Sequence, residues 1–448
     1  VISRRALVGG AASIAVTRLA PVLRCRNALA RMRTPYGGQL VLHVPWPLGS
    51  LDPHRADDVA VALFGDAVFD TLYARNEAGE IVPSLAESGP QPEGRDLRVA
   101  LRADVRFASG ATFDPRAAAG SIARARARDA SAWLAEIPNP RVDKNGLLFA
   151  LRDAHRLMHA LASPLLSMVP PRFNPERPDG TGPLRAEMRT GALLLVRNMR
   201  AASGPSFLDS IEARHSPDLV TPLRAFESGA DDVGWLGSFL HEPRPGAQSF
   251  DAGSISWAIL RTGREAGPLD SRGMAQALAD GVPHASLASL VVGPPWPQGS
   301  ANWTGPPCDL LVREDSPWLV EVAKALSAAL SSPSHEVTAR ALAPADVAQR
   351  RAARAYALML DVARPAGPGS LGALIGLATA DEAQSAAALS RHPPLADMTP
   401  RTMTRTLRIG VVGEVRLQGG RAPDVILPLS RWGRGIDWGA AWRMRRVG

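Results

Sequence analysis

Gly37-Gly38-Gln39-Leu40-Val41-Leu42 opens the stretch, residues 37–116, on which the reading of the chain turns. Two glycines and a glutamine lead there into Leu40-Val41-Leu42, a short apolar run that reads as a strand. Ser50-Leu51-Asp52-Pro53-His54 follows as a turn, and Pro45 and Pro47 interrupt the ladder because proline lacks a donor. From Asp57 to Tyr73 the apolar residues Val61, Phe64, Ala67, Val68 and Leu72 recur at helical spacing. Phe69-Asp70-Thr71-Leu72-Tyr73 closes that segment, and Asn76-Glu77-Ala78-Gly79 is a turn signal. Ile81-Val82-Pro83-Ser84-Leu85-Ala86-Glu87-Ser88 comes next. Leu97 to Phe107 then alternates as one or two strands, ending in Leu101-Arg102-Ala103-Asp104-Val105-Arg106-Phe107-Ala108-Ser109-Gly110. Phe113-Asp114-Pro115 starts a helix through Arg128, the aspartate accepting early amide protons and the proline fitting the first turn.

Taken in order, these pieces resemble the start of the family 5 extracellular solute-binding proteins, the dipeptide, oligopeptide and nickel receptors of ABC importers. Members read as a Gly-Gly strand, an "LDP" turn, "YDTL", "PxLAESW" and "LRxGVKFxxG". Gly89 stands where that family carries its tryptophan.

Further along, Val142 to Leu151 reads as a hairpin turning at Asn145-Gly146. Leu157 to Leu166 reads as a helix, and Ser163-Pro164-Leu165 matches the family's "LASP". Gly180-Thr181-Gly182-Pro183-Leu184 matches "GTGPY", with glycines suited to positive φ or close backbone approach. Leu193 to Asn198 is a strand, Phe207 to Glu212 matches "LDxIxxR", and Thr221 to Gly229 is a helix ending in a turn. Ile255 to Leu260 is read as the strand crossing into a second lobe. Cys308 to Val312, a helix from Trp318 to Leu330, and Val337 to Leu342 follow. Val425-Ile426-Leu427-Pro428-Leu429 resembles the family strand by which the chain returns. The resemblance runs from Gly37 to Gly448 and is strongest before Gly237.

The resemblance implies a two-lobed α/β periplasmic binding protein fold, type II, of the large peptide-receptor cluster, with a subdomain inserted in lobe one. Residues 1–36 are expected as export signal and linker, 37–55, 180–253 and 424–448 as lobe one, 56–179 as the inserted subdomain, and 254–423 as lobe two. It implies capture of a small solute, a peptide or similar, for an ABC importer permease, with no catalysis and no cofactor. The expected protein is a monomer, peripheral to the membrane. Within Tyr356 to Pro365, peptide receptors read "GWxADYxDP", and Asp361 matches the aspartate that holds a peptide's amino group by charge-assisted hydrogen bonds. Leu358, Val362 and Arg364 replace the Trp, Tyr and second Asp, so Arg364 is read as binding a carboxylate or pairing with Asp361. Trp46, Trp133, Trp235 and Trp257 read as core residues, with Trp46 and Trp257 also carried as candidate ligand walls. Trp432, Trp438 and Trp442 read as packing the first lobe.

Composition agrees with a globular chain of two or three domains: 448 residues, 46% hydrophobic and 21% charged. The net charge is +8, and Lys144 and Lys324 are the sole lysines. Arginine is spread along the chain and aromatics are 5%, unlike the clustered basic and aromatic surface of a nucleic-acid binder. The densest run, Arg124-Ala125-Arg126-Ala127-Arg128, reads as a solvated helix face. Cys25 and Cys308 make no disulfide framework.

Ser3-Arg4-Arg5-Ala6-Leu7-Val8 before a short apolar run looks like a twin-arginine export signal. That places the protein in the periplasm or outside the cytoplasm. Cys25 is a possible lipid-attachment site, with Arg24 where that motif needs a small residue.

Two other classes stay open. One is a degenerate binding-protein relative acting as sensor or scaffold, suggested by the lost lobe-two motif residues. The other is a nucleotide-dependent enzyme using Gly367-Pro368-Gly369-Ser370-Leu371-Gly372, which fits G-x-G-x-x-G but lacks the acidic residue about twenty positions on. His155 and His159, four apart on a helix, suit a metal but have no third ligand nearby and read as a solvated face.

Overall fold

The computed structural model describes residues 35–76, 78–235, 244–294, 298–299, 301–367, 369–381, 398–430 and 434–444. The expected export signal, with Arg4, Arg5 and Cys25, lies outside them, as does Trp432.

Strand β1 (Gln39–Val44) turns Leu40, Leu42 and Val44 inward. Helix α1 (Val59–Val68) follows, with Asp58 as its N-cap accepting from the Val61 amide at 3.1 Å. All but two of its ten residues are buried, so it sits inside the molecule rather than on it. A hairpin, β2 (Tyr73–Arg75) and β3 (Ile81–Pro83), leads to β4 (Gln91–Glu93) and β5 (Asp96–Ala100). Helix α2 (Pro115–Ala127) is capped as expected: Asp114 accepts from the Ala117 amide at 2.7 Å and Pro115 opens the first turn. Strands β6 (Arg141–Asp143) and β7 (Gly146–Phe149) form the Asn145-Gly146 hairpin, and α3 (Ala154–Leu161) follows. Strands β4, β5, β7 and β6 make one small sheet, in that order.

Strands β8 (Leu184–Arg189), β9 (Ala192–Arg197) and β10 (Ser210–His215) return to β1 and complete a four-stranded sheet ordered β1-β10-β9-β8. The glycines ahead of β8 answer to close approach. A Cβ on Gly180 would lie 2.0 Å from the Val68 carbonyl oxygen, and one on Gly182 2.7 Å from that of Ala67.

Helix α4 (Val220–Ser228) ends at Gly229, whose φ of 83° is the left-handed cap. Strands β11 (Val233–Trp235) and β12 (Gln248–Thr262) enter a six-stranded sheet. Helix α5 (Met274–Gly281) precedes β13 (Cys308–Arg313), α6 (Pro317–Leu330), β14 (Val337–Leu342), α7 (Pro344–Ala353) and β15 (Leu358–Ala363). Helix α6 buries Trp318, Leu319, Val322, Ala323, Leu326 and Leu330, the three-and-four spacing of one helical face. Strand β15 runs parallel to β13 and is buried along all six residues, as a strand covered on both faces must be. Asp361 is its single charged residue. Helices α8 (Gly369–Ala380) and α9 (Pro400–Thr404) lead to β16 (Ile409–Arg421), and β17 (Val425–Ile426) pairs with β18 (Trp442–Arg443). The sheet order is β11-β16-β12-β15-β13-β14.

Strands β12 and β16 run antiparallel from Gln248 beside Arg421 to Arg261 beside Ile409. At roughly 3.3 Å per residue, the fifteen residues of β12 span about 50 Å. The return strand expected at Val425–Leu429 is therefore displaced: the strand beside β12 is β16, and Val425–Ile426 contributes only the short pair with β18. One apolar core joins the first sheet to the second, with Leu40, Leu195 and Ile211 in the same cluster as Leu260, Leu310 and Leu360. A separate core fills the small sheet's unit around Val99, Phe107, Ile122 and Phe149, and Ala366 and Ile375 reach into it.

Candidate functional site

A cleft rich in charged side chains holds a cavity of about 450 Å³. One wall comes from the segment between β1 and α1: Trp46, Ser50, Asp52, Arg55, Asp57 and Asp58. The opposite wall comes from the ends of β13 and β15 and from α6 and α7: Arg313, Asp315, Leu319, Arg351, Asp361 and Val362. Arg128 and Glu176 also line it. Local sequence places the first wall, because the prolines end β1 and Asp58 starts α1, leaving an irregular polar loop between them.

That loop is braced from behind. Arg124 donates two parallel bonds to Asp52, both at 2.7 Å, and a third at 2.8 Å to His54 Nδ1. His54 Nε2 then donates to the Ser167 carbonyl at 2.9 Å, so the ring is neutral. Burial pushes the His54 imidazole down to about 4. Burial opposes the Asp52 charge, but the Arg124 guanidinium outweighs it and the carboxyl titrates below its ordinary range. The arginine run on α2 is thus not the solvated face the sequence suggested. Arg124 braces Asp52, Arg126 donates to the carbonyls of Leu134 and Ile137, and Arg128 reaches the cleft. Polar partners distant in sequence draw these side chains inward.

Across the cleft floor runs a chain of alternating charges. Arg55 Nε donates to Asp57 at 2.7 Å, and Asp57 accepts from Arg351 Nη1 at 2.7 Å. Arg351 also donates to Asp361 at 2.9 Å, and Asp361 accepts from Arg261 Nε at 3.1 Å. The other Asp361 oxygen accepts from the Val362 amide at 2.9 Å. Burial disfavours the Asp57 charge, yet Arg55 and Arg351 together hold the carboxyl well below the usual range. Arg313 grips Asp315 through two bonds of 2.6 and 2.7 Å.

The four expected site residues are not brought together. Asp361 and Trp46 line the cavity, on opposite walls. Arg364 is buried beside it, donating through Nε to the Arg55 carbonyl at 2.7 Å, through Nη2 to the Pro53 carbonyl, and through its amide to Ala56 O at 2.8 Å. Trp257 lies on β12 in the apolar cluster with Leu374 and Met403. Asp57, Asp58, Arg313 and Arg351 are cleft groups that sequence reasoning missed. The one local signal was Asp58, an aspartate directly before an apolar helical run.

Neither competing chemistry gains a site. Ala366 is part of the small unit's core, and a Cβ on Gly367 would lie 2.8 Å from the Trp133 ring, so this turn is packed rather than open to a phosphate. His159 stacks on Trp133 with centroids 5.5 Å apart, and no group of three metal-binding side chains occurs among the described residues. No described helix is long and apolar enough to cross a membrane.

No protein-family model matches the chain. The nickel-binding periplasmic protein of Escherichia coli (strain K12) is 30% identical over 210 residues, which is 42% of this chain and 40% of that relative. The match therefore takes in well under half of the relative's length. Among solved structures, the oligopeptide-binding protein AppA of Bacillus subtilis, in complex with a nonapeptide, superposes with a TM-score of 0.70 at 12% identity, over 92% of this chain and 100% of that one. NikA from Staphylococcus aureus, in complex with Ni(L-His)2, gives 0.67 at 14% identity over 90% and 100%. AgaA from A. tumefaciens R10, bound to agropinic acid, gives 0.67 at 15% over 91% and 99%. These findings bear out the resemblance to the family 5 solute-binding proteins. The fold is the two-lobed α/β binding-protein fold of these solved structures.

Proposed function

We propose that this chain is the solute-capturing component of an ABC importer and works outside the cytoplasm. The observation that carries the reading is the cavity of about 450 Å³, walled on one side by the β1–α1 segment and on the other by β13, β15, α6 and α7. That size suits a compact ligand, since small-molecule sites run from roughly 300 to 1,000 Å³. Its lining carries both signs of charge, which suits a solute charged at both ends. The similar solved structures hold a nonapeptide, Ni(L-His)2 and agropinic acid. Trp46 is proposed as a wall and Asp361 as part of the floor, with Arg364 and Trp257 supporting from behind. The lobes are proposed as 37–55, 180–253 and 424–448 for the first, carrying the inserted unit 56–179, and 254–423 for the second. Export by the twin-arginine route and delivery to a permease belong to the same proposal, and ligand capture would close the cleft by hinge motion.

Native mass spectrometry of the purified chain against short peptides, nickel–histidine and opines tests this. A one-to-one complex with one class is expected, and no binding to any class would contradict it. A second reading, a relative retained as sensor or scaffold, draws on a specific observation. Asp52, Asp57, Asp315 and Asp361 already have arginine partners within the protein. Binding without importer-dependent uptake would favour that reading.

A further inference from the structure

We infer that the solute-free protein rests with its cleft clasped shut, held by Arg351 and by residues 364–366, which leave the end of β15. The inference rests on the two-lobed, hinged reading above and adds a conformational device to it. Solute enters after the clasp lets go, and the cleft then recloses around it.

The loop between β1 and α1 is fastened to one wall. Arg124 on α2 grips Asp52, the Ala56 amide donates to Asp129 at 2.6 Å, and the Leu51 amide donates to the Pro175 carbonyl at 2.9 Å. Arg351 on α7 and residues 364–366 belong to the other wall and reach across at two points. At the first, Arg351 Nη1 donates to Asp57 at 2.7 Å. At the second, the Arg364 amide donates to the Ala56 carbonyl at 2.8 Å, and its guanidinium donates to the carbonyls of Pro53 and Arg55. Two residues on, Ala366 is fully buried in the small unit's apolar core, and its carbonyl accepts from Ser163 Oγ.

The first point can break and re-form. Asp57 keeps Arg55 on its own wall, and Asp361 keeps Arg261 on the other. Parting Arg351 from Asp57 therefore strands no buried charge, which is the loss that makes a buried pair costly to break. Beside Arg351 lies a polar void of about 30 Å³, where Thr379 Oγ1 has no hydrogen-bond partner among the described residues. The walls meet here through an ion pair next to unfilled space, not through close-packed apolar side chains. The second point resists opening, because separation exposes Ala366 and leaves the carbonyls of Pro53, Arg55 and Ala56 without these donors.

Small-angle scattering on the full chain tests this, once native mass spectrometry shows each sample free of solute. The proteins are wild type, Arg351→Gln, the double variant Arg351→Gln with Ala366→Asp, and Arg340→Gln, each shown folded by circular dichroism. Glutamine at 351 leaves Asp57 and Asp361 their other arginines, and a carboxylate at 366 cannot stay in an apolar core. Arg340 pairs with Asp309 on the neighbouring strand of the same sheet, so its loss should move neither wall. Where Ala366→Asp prevents folding, Arg351→Glu, which sets an acid against Asp57, takes the double variant's place. Wild type and Arg340→Gln should share the smallest radius of gyration, Arg351→Gln should shift to a larger one, and the double variant should be the largest. Wild type already as extended as the double variant, or an Arg351→Gln curve matching wild type while the double variant opens, would overturn the clasp alone. A folded double variant as compact as wild type would mean that the walls do not part, and the hinged reading of the cleft would fall with the clasp.

Discussion

Arg351 and Asp57 meet at 2.7 Å although 294 residues separate them in the chain. Arg351 belongs to α7, beside the six-stranded sheet, and Asp57 to the loop ahead of α1. The guanidinium also reaches Asp361 at 2.9 Å, so one side chain ties the two walls of the cleft together. Any solute entering the floor meets a surface whose charges are already arranged.

The pair beneath that surface is a stability element. Asp361 and Arg261 are both buried, their side chains 10% and 6% exposed. Removing one partner of a buried pair leaves the other charge uncompensated, at a cost of about 3–5 kcal/mol. Urea unfolding of Asp361→Ala should show a loss of that order, and Asp361→Asn a smaller one because its shape and one acceptor remain. A loss under about 1 kcal/mol in Asp361→Ala would mean the pair is solvated.

His54 predicts a pH dependence of stability. Its imidazole is lowered from 6.5 to about 4, so the unfolded chain takes up a proton that the folded chain refuses. Stability from this group is complete above the unfolded pKa and declines as pH falls from about 6.5 towards 4. The full effect is on the order of 3 kcal/mol. Asp58 and Asp66, both raised to about 6, act with the opposite sign, weakening the fold as pH rises through that value. The clean measurement is therefore the difference between wild type and His54→Asn. Wild type should lose stability relative to the variant on acidification over that range, and a flat difference would mean that the ring titrates in the fold as it does in the unfolded chain.

Gly180 predicts a backbone constraint. An added Cβ would stand 2.0 Å from the Val68 carbonyl oxygen, and backbone cannot swing aside as a side chain can. Gly180→Ala should destabilise by at least about 2 kcal/mol in chemical denaturation. Gly191, with nothing within 4 Å of its Cβ position but φ at +70°, should lose only about 1 kcal/mol on the same change.

What the sequence made legible were features set by neighbours along the chain. Asp114-Pro115 announces α2, Asn145-Gly146 announces the hairpin, and the apolar spacing from Trp318 to Leu330 announces α6. The return strand was misplaced because Pro428 made Val425–Leu429 look like a bounded strand, whereas β16 ends in Gly419-Gly420-Arg421 and offers no such boundary. The cleft was legible only in part. Asp361 and Trp46 fall on its walls, but the partners that define it join positions 57 and 351, or 52 and 124, and no local pattern links them.

The central claim is that solute is captured in the cleft, and one measurement tests it most directly. Ala348 on α7 is exposed and lines the cavity, so Ala348→Trp should fill the space without disturbing a core. Native mass spectrometry would compare the occupancy of whatever solute wild type retains with that of this variant, after matching thermal unfolding shows the fold intact. The account predicts that the variant loses the bound solute. Full occupancy in the folded variant would contradict it.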